Sequence, residues 1–166
     1  MHRLQSRLAL FICRDNTALS IMAEAILRHL GQTRLCAASA GEVPYGRVNS
    51  YALECLSGHG IATAGLRSRT WGEFWGLDKP PVRFLIALAD VYAIGSTWSP
   101  NTIIARWYMR DPGALVGSEM DIRSEFEEAF STLESRIRNF LALAFEQLPD
   151  RALSRELARI GEISSV

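Results

Sequence analysis

Little in this chain of 166 residues is suited to cross-linking, metal capture or a membrane. Three cysteines, odd in number and widely spaced, do not make a disulfide framework. Three histidines, with no Cys-x-x-Cys and no His-x-x-x-His, leave a metal site without sequence support, and no cofactor is expected. No apolar run approaches the roughly 20 residues a membrane span needs, so no membrane partner is expected. Met1-His2-Arg3-Leu4-Gln5-Ser6-Arg7 leads into an apolar stretch too short for a signal peptide, which makes the cytoplasm the expected location. Excess charge is missing as well: 18 basic residues balance 18 acidic ones, and there is no overall basic field for nucleic acid. Lys79 is the one lysine, a bias that reads as genome composition, and the arginines are scattered rather than clustered.

What is present is an ordinary apolar fraction of 48%, enough to build a core in a single domain over residues 1–166. Leu8 to Ile12 is a continuous apolar run of the kind a fully buried strand shows. From Ala18 to Leu30 the residues Leu19, Met22, Ile26 and Leu30 recur at spacings of three and four, predicting a helix stopped by Gly31. Leu35 to Ala38 predicts a second strand ending in Ser39-Ala40-Gly41, and residues 49–57 a second helix. Residues 62–81 read as irregular. Val82 to Ala89 and Thr102 to Trp107 predict two more strands, Ile122 to Ala144 a long helix and Asp150 to Ile160 a last one. Strands alternating with helices predict an α/β fold with a parallel sheet, whose ligands bind at the carboxyl ends of the strands. Cys13, Ser39, Asp90 and Asp111 all fall at such ends.

Cys13-Arg14-Asp15-Asn16-Thr17-Ala18-Leu19-Ser20 therefore places a thiol at the exit of a strand and the mouth of a helix. Backbone N–H groups of a tight loop and a helix N-terminus converge there, favour an anion, and would lower the pKa of a thiol at that point. On that ground Cys13 is expected to be the most reactive of the three cysteines. Cys36, in a predicted buried strand, and Cys55, on a predicted helix, read as core residues.

This stretch resembles the phosphate-binding signature of the low-molecular-weight protein tyrosine phosphatases and thioredoxin-coupled arsenate reductases: Cys, five residues, Arg, then Ser or Thr. Cys13, Asn16, Thr17, Ala18 and Ser20 fit it, and Ile21-Met22-Ala23-Glu24-Ala25 continues it. The resemblance extends over essentially the whole chain, through Ser39-Ala40-Gly41, the Gly58-to-Ser68 segment and Asp111-Pro112. It implies a flavodoxin-like three-layer sandwich with a four-stranded parallel sheet. It further implies Cys13 as nucleophile, Asp111 as general acid and then base, and Ser20 as the hydrogen-bond partner of the thiolate. Arg14, Asp15, Asn16, Thr17, Ala18 and Leu19 become the anion-binding loop, with Asn16 at positive φ. The implied ligand is phosphate or a similar oxyanion, and the implied substrate a phosphotyrosine protein. The same residues also have bland readings: Cys13 as a small buried hydrophobe, Asp111 as a turn residue before proline, Ser20 as a helix cap.

The chain departs from the pattern where chemistry is most exacting. Leu19 occupies the position of the arginine that would grip two phosphoryl oxygens in a fork. Asp15 replaces a small residue and adds negative charge beside a site for dianions. Ala89 and Ser99 stand where the reductases carry their two further cysteines, so an intramolecular disulfide relay is not expected. The expectation is a degenerate phosphatase or arsenate-reductase relative, a pseudoenzyme with weak or no turnover. The alternative is an active enzyme in which Arg14 compensates for Leu19. The aromatics Trp71, Phe74, Trp75, Trp98, Trp107 and Tyr108 flank the predicted site and read as packing before substrate stacking.

Overall fold

The computed structural model describes residues 7–91 and 98–164; the leader segment considered above lies outside the described residues up to Ser6. Four strands, β1 (Leu8–Cys13), β2 (Cys36–Gly41), β3 (Val82–Ala87) and β4 (Ile103–Arg106), form one all-parallel sheet in the order β2-β1-β3-β4. β1 is central and buried at all six positions, as its uninterrupted apolar run requires. Its register sets Cys13 beside Gly41 and Ile12 beside both Ala40 and Ala87, so the carboxyl ends of β1, β2 and β3 open on one rim. β2 runs through Ser39-Ala40-Gly41 instead of stopping before it, because that small-residue tail passes beneath the loop after Cys13. As an edge strand it leaves Cys36 exposed, which corrects the expectation that Cys36 is a core residue.

The helices are α1 (Leu19–Gly31), α2 (Ser50–Gly58), α3 (Glu119–Ala142) and α4 (Asp150–Ile160). Gly31 is the last residue of α1, and Gln32 takes the positive-φ cap. Asn49 caps α2 by accepting from the Tyr51 N–H, and Ser118 with Asp121 forms a capping box that starts α3 ahead of its first apolar residue. All four helices contribute to one core cluster, on the sheet face that carries Ala9, Phe11, Phe84 and Ile86. The opposite face, with Leu8, Leu10, Ile12 and Leu85, is covered among the described residues by Trp71, Phe74, Trp75, Trp98 and Val91, including a short 3₁₀ turn at Trp71–Phe74. Trp71, Trp75 and Trp98 contact one another with ring centroids 5.5–6.5 Å apart, and Trp107 is fully buried with its indole N–H on the Leu157 carbonyl. These tryptophans are packing residues. Among the described residues no helix is long and apolar enough to cross a membrane.

Candidate active site

The last residue of β1, Cys13, leads into a loop whose backbone folds back under its own side chains. Asn16 takes φ +52°, which an asparagine tolerates because its short amide can bond locally. That turn aims the Asn16 N–H at the Cys13 sulfur, 3.2 Å away. The Asn16 amide then spans the interior: Nδ2 donates to Ser20 Oγ at 2.8 Å and to Ser39 Oγ at 3.1 Å, while Oδ1 accepts from the Arg69 N–H at 2.8 Å. Ser39 Oγ donates to Glu24 Oε2 at 2.5 Å. Glu24, fully buried on α1, is also held by Arg28 at 2.5 Å and Arg69 at 3.2 Å. Burial pushes the Glu24 carboxyl up; the Ser39 hydroxyl and the charges of Arg69 and Arg28 lower it, leaving the net shift upward.

Outward-facing carbonyls of the loop are satisfied by the segment after β2. The Val43 N–H donates to the Arg14 carbonyl, Tyr45 to Asp15 and Asn49 to Thr17, at 2.8–2.9 Å. Gly41 is required here, since a Cβ would lie 3.0 Å from the Arg14 carbonyl oxygen and from the Asn16 backbone nitrogen. From sequence, Ser39 stands out only by its place at a strand end, and Glu24 and Arg69 are not singled out as site residues. The signal that could have found them was the pairing of Ser39-Ala40-Gly41 with Glu24, which becomes a contact only once β2 lies beside β1.

Around the sulfur, Ser20 Oγ stands 2.9 Å away and Asp15 Oδ1 3.8 Å away. Cys13, Arg14, Asp15, Leu19, Ala89 and Asp111 line a cavity of about 150 Å³. Asp111 begins a 3₁₀ turn over Pro112–Ala114, and its carboxylate accepts from the Gly113 N–H at 2.9 Å. Leu19 is buried at the start of α1, packed into the main core as well as facing the cavity. Ala18 is buried at the helix N-cap and offers no side-chain bond. Thr17 is partly exposed at a neighbouring groove, and the Arg14 side chain is exposed with no ion pair among the described residues. The structure thus brings Cys13, Arg14, Asp15, Leu19 and Asp111 around one cavity, with Asn16 and Ser20 bonded to the sulfur from within and the Arg14 side chain largely exposed.

The electrostatics run against the helix-mouth expectation. Burial pushes the Cys13 thiol up; its bonds to Ser20 and Asn16 lower it, and the Asp15 charge raises it further, leaving the net shift upward. Desolvation of a nearly closed sulfur outweighs its hydrogen bonds to Ser20 and Asn16. Asp111 is likewise raised, first by burial and then by Asp15, against the lowering bond from Gly113. Cys55 is pushed up to about 12 by burial and by the Glu127 and Glu54 carboxylates, whereas Cys36 lies open to solvent.

The model of the low molecular weight phosphotyrosine protein phosphatase family matches residues 9–156. Among solved structures, an arsenate reductase in the phosphate binding state aligns with a TM-score of 0.65 at 23% identity, covering 82% of this chain and 97% of that one. An arsenate reductase from Archaeoglobus fulgidus aligns at 0.64 and 22% identity, over 82% and 100% of the two chains. The Erwinia amylovora tyrosine phosphatase amsI aligns at 0.60 and 14% identity, over 83% and 93%. At such identities the likeness establishes the fold. No curated protein matches the chain in sequence.

Proposed function

This chain belongs to the low molecular weight phosphotyrosine protein phosphatase family, and from that premise we propose that it is a degenerate member: an oxyanion cradle centred on Cys13, with weak or no phosphatase activity. The observation that carries this reading is the buried Leu19 at the clamp position, in a cavity whose ionisable lining residues are Cys13, Asp15, Asp111 and the largely exposed Arg14.

In the reaction the resemblance implies, a thiolate attacks phosphorus, an aspartic acid protonates the leaving oxygen, and water then opens the cysteinyl-phosphate. Parts of that machinery have suitable partners here. Ser20 Oγ and the Asn16 N–H are placed to hold a sulfur anion, and a carboxyl raised by burial, as Asp111 is, keeps its proton for a leaving group. The missing part is positive charge for the phosphoryl oxygens. Losing one preorganised oxyanion donor costs about 3–4 kcal/mol, roughly 100- to 1,000-fold in rate, and a bidentate guanidinium supplies at least as much. Asp15 worsens the deficit by repelling a dianion and by adding to the upward push that burial gives the thiol.

Turnover of p-nitrophenyl phosphate tests the proposal. The expected rate is at least about 100-fold below that of an arginine-bearing relative. Leu19→Arg with Asp15→Gly should restore phosphate binding and hydrolysis, and Cys13→Ser should abolish whatever is restored. Native kinetics within about tenfold of such a relative would overturn the proposal, and loss of that activity in Arg14→Ala would then identify Arg14 as the replacement clamp.

A further inference from the structure

Away from the Cys13 loop, three ligating groups converge where α2 packs on α3. Cys55 lies on α2 and His59 is its C-cap, and a spacing of four residues puts both on one side of the helix. Glu127 comes from α3, 68 residues beyond His59 in sequence. Its Oε1 is 3.4 Å from Cys55 Sγ and its Oε2 is 2.7 Å from His59 Nε2. One donor atom from each of the three residues lies within 4.8 Å of the other two. A tetrahedral ion with bonds of about 2.0–2.3 Å holds its donors about 3.3–3.6 Å apart, so side-chain adjustment alone closes the set.

The frame is already built. The His59 ring stacks on Phe130 with centroids 3.8 Å apart and planes 7° from parallel, which fixes the direction of Nε2. Tyr51 stacks on Phe126, and Arg123 of α3 bonds Glu54 of α2, so the helices that carry the ligands are held against each other just ahead of Cys55 and Glu127. Cys55 is buried at the base, while His59 and Glu127 stand exposed at the rim, giving an ion access from solvent.

We propose that Cys55, His59 and Glu127 form a zinc(II) site with its fourth position open to water. A thiolate, an imidazole and a carboxylate are the donor types this borderline-soft ion takes in tetrahedral sites. On binding, a sulfur–zinc bond replaces the S–H bond of Cys55 and the proton passes to solvent. His59 binds as the neutral imidazole through Nε2. The two anionic ligands then balance the dication, so no uncompensated charge remains at the helix interface.

The test uses the full chain, reduced and stripped with chelator, titrated with cobalt(II) and then zinc(II). The expected result is one equivalent bound, a thiolate-to-cobalt charge-transfer band that zinc removes, and a zinc-dependent rise in Tm. Cys55→Ser should abolish the band, and His59→Ala and Glu127→Gln should each weaken zinc binding at least about 100-fold. Cys13→Ser and Cys36→Ser should leave all three readouts unchanged. Absence of the band in the native protein, its survival in Cys55→Ser, or its loss in Cys13→Ser overturns the proposal. If Cys55→Ser does not fold, the two variants at the exposed rim decide the matter: unchanged zinc affinity in both refutes the site.

Discussion

The two sides of the Cys13 loop obey different rules. On the side facing the protein, Asn16, Ser20, Ser39, Glu24 and Arg69 form a connected network, and the two arginines on Glu24 compensate a fully buried carboxylate. On the side facing the cavity, burial and the Asp15 charge raise the cost of ionising Asp111 beside a thiol, and apolar Leu19 closes the wall. The loop is therefore shaped from behind. The residues that brace the loop from behind are thus largely separate from those that face the cavity.

Three experiments would break or sharpen that contrast. Glu24→Ala attacks the inner side and should have the largest effect on stability, about 3 kcal/mol in urea unfolding, near the lower end for breaking a buried pair because Arg28 is partly solvated already. A loss below about 1 kcal/mol would show that the network does not hold the loop. Gly41→Ala strikes the seam between β2 and the loop, where the new methyl meets backbone that cannot swing away. It should cost about 1–3 kcal/mol and, unlike a surface change, should also speed iodoacetamide labelling of Cys13 by loosening its enclosure.

Asp111→Asn probes the outer side and should have the smallest effect, a gain of less than about 1 kcal/mol at neutral pH given partial exposure. The substituted amide oxygen can still accept from the Gly113 N–H. Because folding raises this carboxyl above its ordinary value of 3.8, the stability its protonated form contributes is present at low pH and is lost as pH climbs through the raised value. The variant's advantage over the native protein should thus be absent below the ordinary value and grow as pH rises. The opposite trend would mean that a cation, with Arg14 the nearest candidate, has turned inward.

Local pattern carried most of the architecture. The apolar run before Cys13, the three-and-four spacing of Leu19, Met22, Ile26 and Leu30, and the bounded segment Asp150 to Ile160 each predict an element that the fold contains. Where expectation and structure part, the cause is a neighbour distant in sequence. Cys36 is apolar in its local setting yet exposed, because β2 is at the sheet edge. Ser39-Ala40-Gly41 reads as a strand end yet stays in the ladder, because only small residues fit beneath Arg14 and Asn16. The Cys13 thiol sits at a helix mouth yet is raised, because the depth of its enclosure is set by residues from three strand ends.

The sequence by itself determined the order of the elements, the thiol at the strand exit, and Leu19 at a position where the resemblance implies an arginine, since each is written in residues close together. Only the tertiary structure decided which carboxylates face one another. Asp15 meets Asp111 across nearly a hundred residues, Glu24 meets Arg69, and Glu127 joins Cys55 and His59. Electrostatic sign and ligand geometry depend on distance in space and on desolvation, and neither exists until strand order and helix packing have closed the chain on itself.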